Sequence, residues 1–378
     1  MIDYILYAIF SVLLINYVIF LLIILRGLSN LKPHNNNTGI KEFVSIIIPF
    51  RNEEENILKN LNSVENQDYP TAKLEVIYVN DNSTDDTLKI LTENISSENI
   101  KVISVPESYS PNAHKKKAVR FGIENAKGDI IVTTDADCFF NSDWLTSLLN
   151  SFDDQTGFVS GPVEFDDNGS FFSKLQKLEF AGLIITGAGL IGSGKPTICN
   201  AANTAYRKNV YEQVNGFADQ MNLSSGDDEL LMQKIAKDTN YRVKFSLNKN
   251  SIVKTPANNS LSSFYQQRKR WASKGLFYRS KALVAILIMI YLFYLSLVVQ
   301  PILALTVSVN YIIIFAISLV LKIIIEYLIL KKGKKILFNN LSLKSFLFAE
   351  LFQVPYIIIA GISGAFGNYK WKGRKVKR

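Results

Sequence analysis

Asp135 and Asp137 stand one residue apart at the end of the apolar run DIIVTTDAD, residues 129 to 137. In a strand, residues i and i+2 share a face, so the two carboxylates would point the same way and repel unless something positive lies between them. Two other β-rich apolar runs end in a similar way. FVSIIIPF (43 to 50) carries Pro49 near its end and is followed by Arg51, Asn52 and Glu53. LEVIYVND (74 to 81) ends in Asn80 and Asp81, with Asn82, Ser83 and Asp85 just beyond. Taken singly, Ser83, Thr84 and Asp85 read as helix caps and Asp81 as a turn residue. Three strand ends that gather acids together point to a shared site instead. An acidic rim does not attract phosphate by itself, and the natural bridge is a hard divalent cation, Mg2+ or Mn2+. One or two carboxylates would hold it and ligand phosphate oxygens would complete it. Asp135 and Asp137 are therefore the candidate metal ligands. The protein's own positive charge arrives in HKKKAVRFG (114 to 122). A lysine run is as readily a solvated face, but its place just ahead of DIIVTTDAD favours phosphate contact for at least one member.

The stretches between these runs, EENILKNLNSVENQ and STDDTLKILTEN, have helical spacing. Strands alternating with helices predict an α/β fold with a mostly parallel sheet and crossover helices. Such sheets bind ligands beyond the carboxyl ends of their strands. The sequence GSGK at 192 to 195 is not a phosphate loop, because the Walker spacing is absent and Pro196 follows Lys195.

Hydrophobic residues make up 48% of the 378, unevenly placed. Residues 4 to 25 are long and apolar enough to cross a bilayer as a helix. Asp3 stands where a cleaved leader would be basic. The run from Ala282 to Leu330 predicts two spans with a turn near Pro301 to Asn310, and 346 to 367 is a third stretch interrupted by Glu350, Gln353 and Pro355. That stretch reads equally as a full span or a re-entrant helix. Arg26 and Lys32 after the first span, and KKGKK at 331 to 335 after the hairpin, predict a cytosolic polar middle by the positive-inside rule. The expected organisation is an anchor (1–28), a linker (29–42), a cytosolic domain (43–280), C-terminal membrane helices (281–370, about 282–305, 308–330 and 346–367) and a basic tail (371–378). A net charge of +9 sits largely beside these segments, which favours anionic membrane lipid over nucleic acid as partner. Two cysteines, Cys138 and Cys199, agree with a reducing compartment and write no zinc pattern.

In order, SIIIPFRNEEENI, VIYVNDNSTDDT, HKKKAV and TTDAD resemble the nucleotide half of inverting family-two glycosyltransferases with the GT-A fold. The resemblance implies that Pro49, Arg51, Glu53 and Asp81 border the nucleotide, with Glu53 and Asp81 facing the base, that Lys115 meets the diphosphate, and that Asp135 with Asp137 serve ribose and metal. It extends downstream. SSGDDELLMQKI (224 to 235) sets acids ahead of a helical stripe of Leu230, Leu231 and Ile235, where a helix dipole alone would also favour them. The family places its catalytic base here, usually within ED, and Asp228 is the matching residue, preceded by Asp227 in place of Glu. In SSFYQQRKRWASKGL (262 to 276), Gln267, Arg270 and Trp271 resemble the QxxRW signature of membrane polysaccharide synthases and ceramide glucosyltransferases. A guanidinium can pair with a departing diphosphate while an indole packs on a sugar, although an interfacial helix uses the same residue types. The region closing in NGF would border the acceptor, with Asn203 and Tyr206 as the residues considered there.

The reading is a membrane glycosyltransferase that moves a hexose or N-acetylhexosamine from a nucleotide sugar, UDP-linked by preference, with inversion. A sugar hydroxyl must lose its proton as the new bond forms, and a carboxylate within hydrogen-bond reach can take it. The acceptor is a lipid, a lipid-linked glycan or a growing polysaccharide. The lipid is favoured because an extruding synthase with so few helices would need a homo-oligomer or a membrane partner to line a channel. A metal-dependent nucleotidyltransferase would share the acids but have no use for Asp228 or the QxxRW segment. A noncatalytic scaffold would be free to lose the acids, and all are present.

Overall fold

The computed structural model describes residues 2–33, 42–109, 115–218, 226–273, 278, 280–366, 369–371 and 374–376. His34, the asparagine run at 35–37, His114, Ser224 and Ser225 lie outside them. The chain begins with helix α1 (Ile2–Asn30) and continues β1 (Val44–Phe50), α2 (Ile57–Glu65), β2 (Leu74–Asn80), α3 (Thr87–Asn94), β3 (Ile100–Ser104), α4 (Lys115–Glu124), β4 (Ile130–Thr133) and α5 (Trp144–Leu149). Then follow β5 (Thr156–Ser160), β6 (Val163–Asp166), α6 (Phe171–Gly192), β7 (Thr204–Arg207), α7 (Lys208–Gln213), α8 (Asp227–Asp238), β8 (Arg242–Phe245), β9 (Val253–Pro256) and α9 (Leu261–Ala272). Last come α10 (Lys281–Thr306), α11 (Tyr311–Leu337), α12 (Phe346–Phe366) and a small hairpin of β10 (Tyr369–Trp371) and β11 (Arg374–Val376).

Seven strands form one sheet in the order β3-β2-β1-β4-β7-β5-β8. All pairings are parallel except the two made by β7. β1 and β2 are buried along their whole length, as strands of a parallel sheet covered on both faces must be. Helices supply the cover with short apolar stripes, such as Ile57, Leu61 and Val64 on α2. The register sets Val44 opposite both Leu74 and Ile130. The carboxyl ends of β1, β2 and β4 therefore share one edge of the sheet, and the start of β7 joins them because Thr204 lies opposite Thr133.

β4 ends earlier than its apolar run suggests. It pairs only to Thr133, opposite Ile47, so Asp135 and Asp137 lie on a turn past the strand and not on a strand face. Cys138 N donates to Asp135 O (3.0 Å) to close that turn. Alternation survives in burial, since Ala136 and Cys138 point inward while both acids are half-buried.

Five described helices are long and apolar enough to cross a membrane: α1, α6, α10, α11 and α12 over Phe346–Gly364. The α10–α11 turn falls at 307–310, and Pro301 lies inside α10. α6 was not foreseen as a candidate span. Its first half carries Lys174, Lys177 and Glu179, and most of it is buried against other helices. It docks backbone to backbone on α1: a Cβ added to Gly27 would fall 1.8 Å from Gly189 O, and one added to Gly192 would fall 2.3 Å from Gly27 O. α1, α10, α11 and α12 keep apolar side chains such as Ile15, Ile302, Ile324 and Phe352 on their outer faces, as lipid-facing helices do. Their inner faces are filled: Tyr17 stacks on Phe293 (4.2 Å between centroids) and shares a 3.0 Å hydrogen bond with Tyr294. The fully buried Lys322 is bound by Glu326 (3.1 Å), Glu350 and Gln353 (2.6 Å).

At the β5–β8 edge, Lys244 Nζ donates to Asp153 Oδ2 (2.6 Å). Burial opposes ionisation of Asp153, but Lys244 and Thr156 outweigh it and bring the carboxyl down to about 2. A carboxyl lowered on folding stabilises the native state above its unfolded pKa. We therefore expect Asp153→Asn to cost about 1 kcal/mol or less at neutral pH. The gap to the parent protein should shrink below about pH 4 and close as the pH falls through about 2. Denaturation of detergent-solubilised protein over a pH series checks this; a gap constant with pH would reject it.

Candidate active site

The rim is built by loops that brace one another. Asn52 and Asn82 adopt left-handed backbone (φ 52° and 55°), which asparagine tolerates better than most residues. Each turns its loop sharply off the sheet. The Asn52 amide bridges to Thr84, accepting from Thr84 N (2.8 Å) and donating to Thr84 Oγ1 (3.1 Å). Arg51 Nη1 donates to the backbone carbonyls of Asp81 (2.8 Å) and Asn82. Arg51 thus ties the β1 loop to the β2 loop. Pro49 lies within buried β1. Glu53 is held at its backbone by Thr87 (Glu53 N to Thr87 Oγ1, 2.8 Å) and accepts from Asn56 Nδ2 (3.1 Å). Asp81 is buried at the end of β2, its amide bound to Phe50 O (2.9 Å). Asp85 lies one residue ahead of Asp86, the N-cap of α3, and accepts from the Thr87 hydroxyl (2.6 Å) and amide (3.2 Å) and from the Glu54 amide (3.3 Å). Burial raises its carboxyl, but these hydrogen bonds bring it net below the usual range.

Lys115, at the first position of α4, forms an ion pair with Asp135. That supplies the positive charge which two neighbouring carboxylates demand. Lys116 and Lys117 turn inward and are buried, so this lysine run is not a solvated face, and it is Lys115 that pairs with Asp135.

Asn60 is a residue that motif reading passed over. It is fully buried on α2, donates to the carbonyls of Asp135 (3.2 Å) and Cys138 (2.7 Å), and accepts from the Tyr78 hydroxyl (2.7 Å). Its one visible signal is an amide on the apolar stripe of a helix, which asks for buried partners. The Cys138 thiol donates to Asp137 Oδ1 (3.5 Å). Burial first, then the charges of Asp137 and Asp135, push that thiol well above its ordinary pKa, so it is no nucleophile.

Asp228 lies in the first turn of α8, entered through Gly226 at φ 83°. α8 packs on the turn Ala201–Asn203, whose Ala201 carbonyl accepts from Thr133 Oγ1 at the end of β4 (3.0 Å). α8 is thereby connected, through this turn, to the end of β4. The next residue, Glu229, is buried and accepts from the Tyr278 hydroxyl (2.6 Å). Burial first, then Glu229 and Asp228, raise that phenol well above its ordinary pKa. Tyr278 lies three residues before α10, so the acidic helix start is tied to the approach to a long apolar helix.

Gln267, Arg270 and Trp271 lie on α9, which packs against α12. α9 follows β9, whose Lys254 exchanges two 2.9 Å backbone hydrogen bonds with Phe139, two residues beyond Asp137. Asn203 and Tyr206 do not border open space. Asn203 is fully buried, donating to Pro162 O (2.8 Å) and Ser251 O (2.7 Å) and accepting from Trp144 Nε1 (3.1 Å). Tyr206 is buried between Phe158 and Tyr211.

Among the described residues no group of three or more His, Cys, Asp or Glu side chains is placed to hold a metal. Two half-buried carboxylates on one turn nevertheless fit a hard divalent ion that draws its other ligands from a phosphate group and water.

Residues 45–214 match the family model described as glycosyl transferase family 2, and 130–330 match glycosyl transferase family group 2. The chain is 30% identical over 220 residues to glycosyltransferase AglE of Haloferax volcanii, covering 55% of this chain and 66% of that protein. It is 24% identical over 259 residues to a poly-beta-1,6-N-acetyl-D-glucosamine synthase of Staphylococcus epidermidis, covering 65% and 58%. The matches thus span 58–66% of these relatives' own length. The mannosyltransferase PcManGT of Pyrobaculum calidifontis, solved with GDP-Man and Mn2+, superposes with a TM-score of 0.58 at 19% identity, covering 94% of this chain and 98% of its own. That likeness is one of fold.

Replacing Asn60 by Ala should leave the carbonyls of Asp135 and Cys138 short of a donor, at a cost of about 1–3 kcal/mol. The amides of Ala136 and Cys138 should then exchange faster with deuterium. Unchanged exchange there would show that Asn60 does not hold the acidic turn.

Proposed function

We propose, for a chain that belongs to glycosyl transferase family 2, that it moves one sugar at a time from a nucleoside diphosphate sugar to a lipid or short lipid-linked glycan at the membrane surface. Members of the family act with inversion, so one displacement at the anomeric carbon accounts for the reaction. The observation that carries the reading is the shared edge. Asp135, Asp137 and Lys115 lie there with the braced loops of Glu53 and Asp81, and α8, the helix that carries Asp228, packs on the turn at 201–203, which is bonded to the end of β4.

The loops that Arg51 and Asn52 pin together would cradle the nucleotide, with Glu53 and Asp81 toward its base. Lys115 would exchange Asp135 for the donor diphosphate and so place a cation beside the leaving group. Asp135 and Asp137 would hold Mg2+ or Mn2+, which when bound supplies the remaining positive charge that the leaving diphosphate needs. Asp228 would take the proton from the acceptor hydroxyl as it attacks from the face opposite the leaving group. Gln267, Arg270 and Trp271 would meet the donor from the membrane side.

The lipid acceptor draws support from the helix bundle. Tyr17, Phe293, Tyr294, Lys322 and Glu350 fill its interior, whereas a polymer in transit needs a wet path. The UDP-linked N-acetylhexosamines are the first donors to test, given the synthase relative; an extruded polymer is the outcome that would reverse the acceptor assignment. Membranes holding the protein are incubated with a panel of labelled nucleotide sugars. Label in the organic-extractable lipid is expected, and label confined to large polymer would refute the lipid acceptor.

Two substitutions probe the chemistry. Asp137→Ala should weaken cation-dependent donor binding by roughly tenfold or more, and equal binding with and without chelator in the parent protein would remove the metal from the scheme. Asp228→Asn should leave donor binding intact and lower turnover on the order of 10²- to 10⁴-fold; normal turnover would move the base elsewhere.

A further inference from the structure

Between Gln267 and Arg270 lies Arg268, which the QxxRW pattern leaves undefined. Its side chain is only 4% exposed. Nε donates to Glu179 Oε1 (3.2 Å), Nη2 to Glu179 Oε2, and Nη1 to Gln267 Oε1 (2.6 Å). The guanidinium also lies over the rings of Trp271 (4.3 Å to the centroid) and Phe264 (4.5 Å). Arg268 therefore touches two of the three signature residues. A second contact fixes each of these: Asn258 Nδ2 donates to Gln267 Oε1 (3.0 Å), and Trp271 stacks on Phe180 of α6 (5.7 Å).

The anchor of Arg268 is Glu179, on α6. Its Oε1 accepts a second hydrogen bond from the Tyr356 hydroxyl of α12 (2.5 Å). Tyr265 of α9 is bonded to Ser363 of α12 in addition. One carboxylate thus joins α6, α9 and α12. Helix geometry extends the effect to the third signature residue. At 3.6 residues per turn, positions i and i+2 point about 200° apart. Pinning Arg268 toward α6 therefore turns Arg270 to the other side of α9.

We propose that Arg268 is the positioning residue of the Gln267–Trp271 signature, and that Glu179 and Tyr356 make its orientation depend on how α12 is seated against α6. The membrane bundle then sets the geometry of the transfer site through one buried ion pair. A guanidinium suits this task because it forks onto a carboxylate and stacks on rings together, which an ammonium cannot do. The inference rests on the transferase reading above for what the signature does, but not for how it is held.

The test uses the full chain in lipid nanodiscs, with Arg268→Lys, Tyr356→Phe and the charge-free pair Glu179→Gln with Arg268→Met. The pair guards against misfolding, because a lone buried charge is more harmful than none. Two readouts are taken: hydrogen exchange at the amides of Leu261–Ala272, and kcat with KM for the nucleotide sugar. Arg268→Lys and the charge-free pair should lose exchange protection in α9 but not in α4, and their kcat should fall roughly tenfold to a hundredfold while KM stays within about threefold. Tyr356→Phe should shift both readouts the same way by less. Parent-like exchange and kcat in Arg268→Lys would overturn the proposal. So would a charge-free pair with parent-like turnover, since the ion pair would then only neutralise itself. A parent protein that transfers no sugar would refute the transferase role of the signature, and the exchange readout would still decide how α9 is positioned.

Discussion

Two carboxylates on one short turn repel, and nearly everything around the rim answers that repulsion. Asn60 holds the turn by its carbonyls so that Asp135 and Asp137 stay half-buried at the sheet edge. Lys115 neutralises one of them. The charges of this arrangement are those that a diphosphate and a divalent ion would rearrange. A lysine that trades a carboxylate for a phosphate keeps its own charge paired in both states. The resting ion pair can thus be read as a placeholder for the bound donor, with little reorganisation left for the moment of reaction.

The second half of the molecule ties this rim to the long apolar helices. α8 is linked to the entry of α10 through Glu229 and Tyr278, and α9 to α12 and α6 through Glu179. Each half of the proposed acceptor side therefore has its own connection to a different membrane helix. On the proposed reading, an acceptor arriving from the bilayer would meet side chains whose orientation these helices set. A buried ion pair adds little net stability because its desolvation offsets the attraction, whereas breaking one partner is costly.

Much of the fold was legible because β1, β2 and the run through β4 are buried on both faces and so are written as continuous apolar stretches. Their polar ends marked the site for the same reason, since a parallel sheet leaves its strand termini as the place where polar groups can gather. The early end of β4 was not legible. It depends on Asn60, some seventy-five residues away in sequence, and no local pattern carries that information. The inward turn of Lys116 and Lys117 was hidden likewise, because a long aliphatic stem lets a lysine occupy sites that its charge would seem to forbid. Asn203 and Tyr206 looked suited to an acceptor by type, but their partners, Trp144, Ser251 and Phe158, are core residues drawn from distant segments. α6 was overlooked as a membrane-like helix since three charged residues interrupt its start, one of which proves to be the hub for α9.

The seam of Gly27, Gly189 and Gly192 has a consequence for how the chain is made. α1 cannot form this seam until α6 exists, roughly 160 residues later. At cellular rates of synthesis that is a wait on the order of ten to thirty seconds. The central sheet waits as well, because β7 is wedged between β4 and β5 and is translated just after α6. Packing of α1 on α6 and insertion of β7 into the sheet should therefore coincide. Until then a nascent chain would carry both a lone apolar helix and an open strand edge, and the lipid that shelters the one would have to be reached before the other can aggregate.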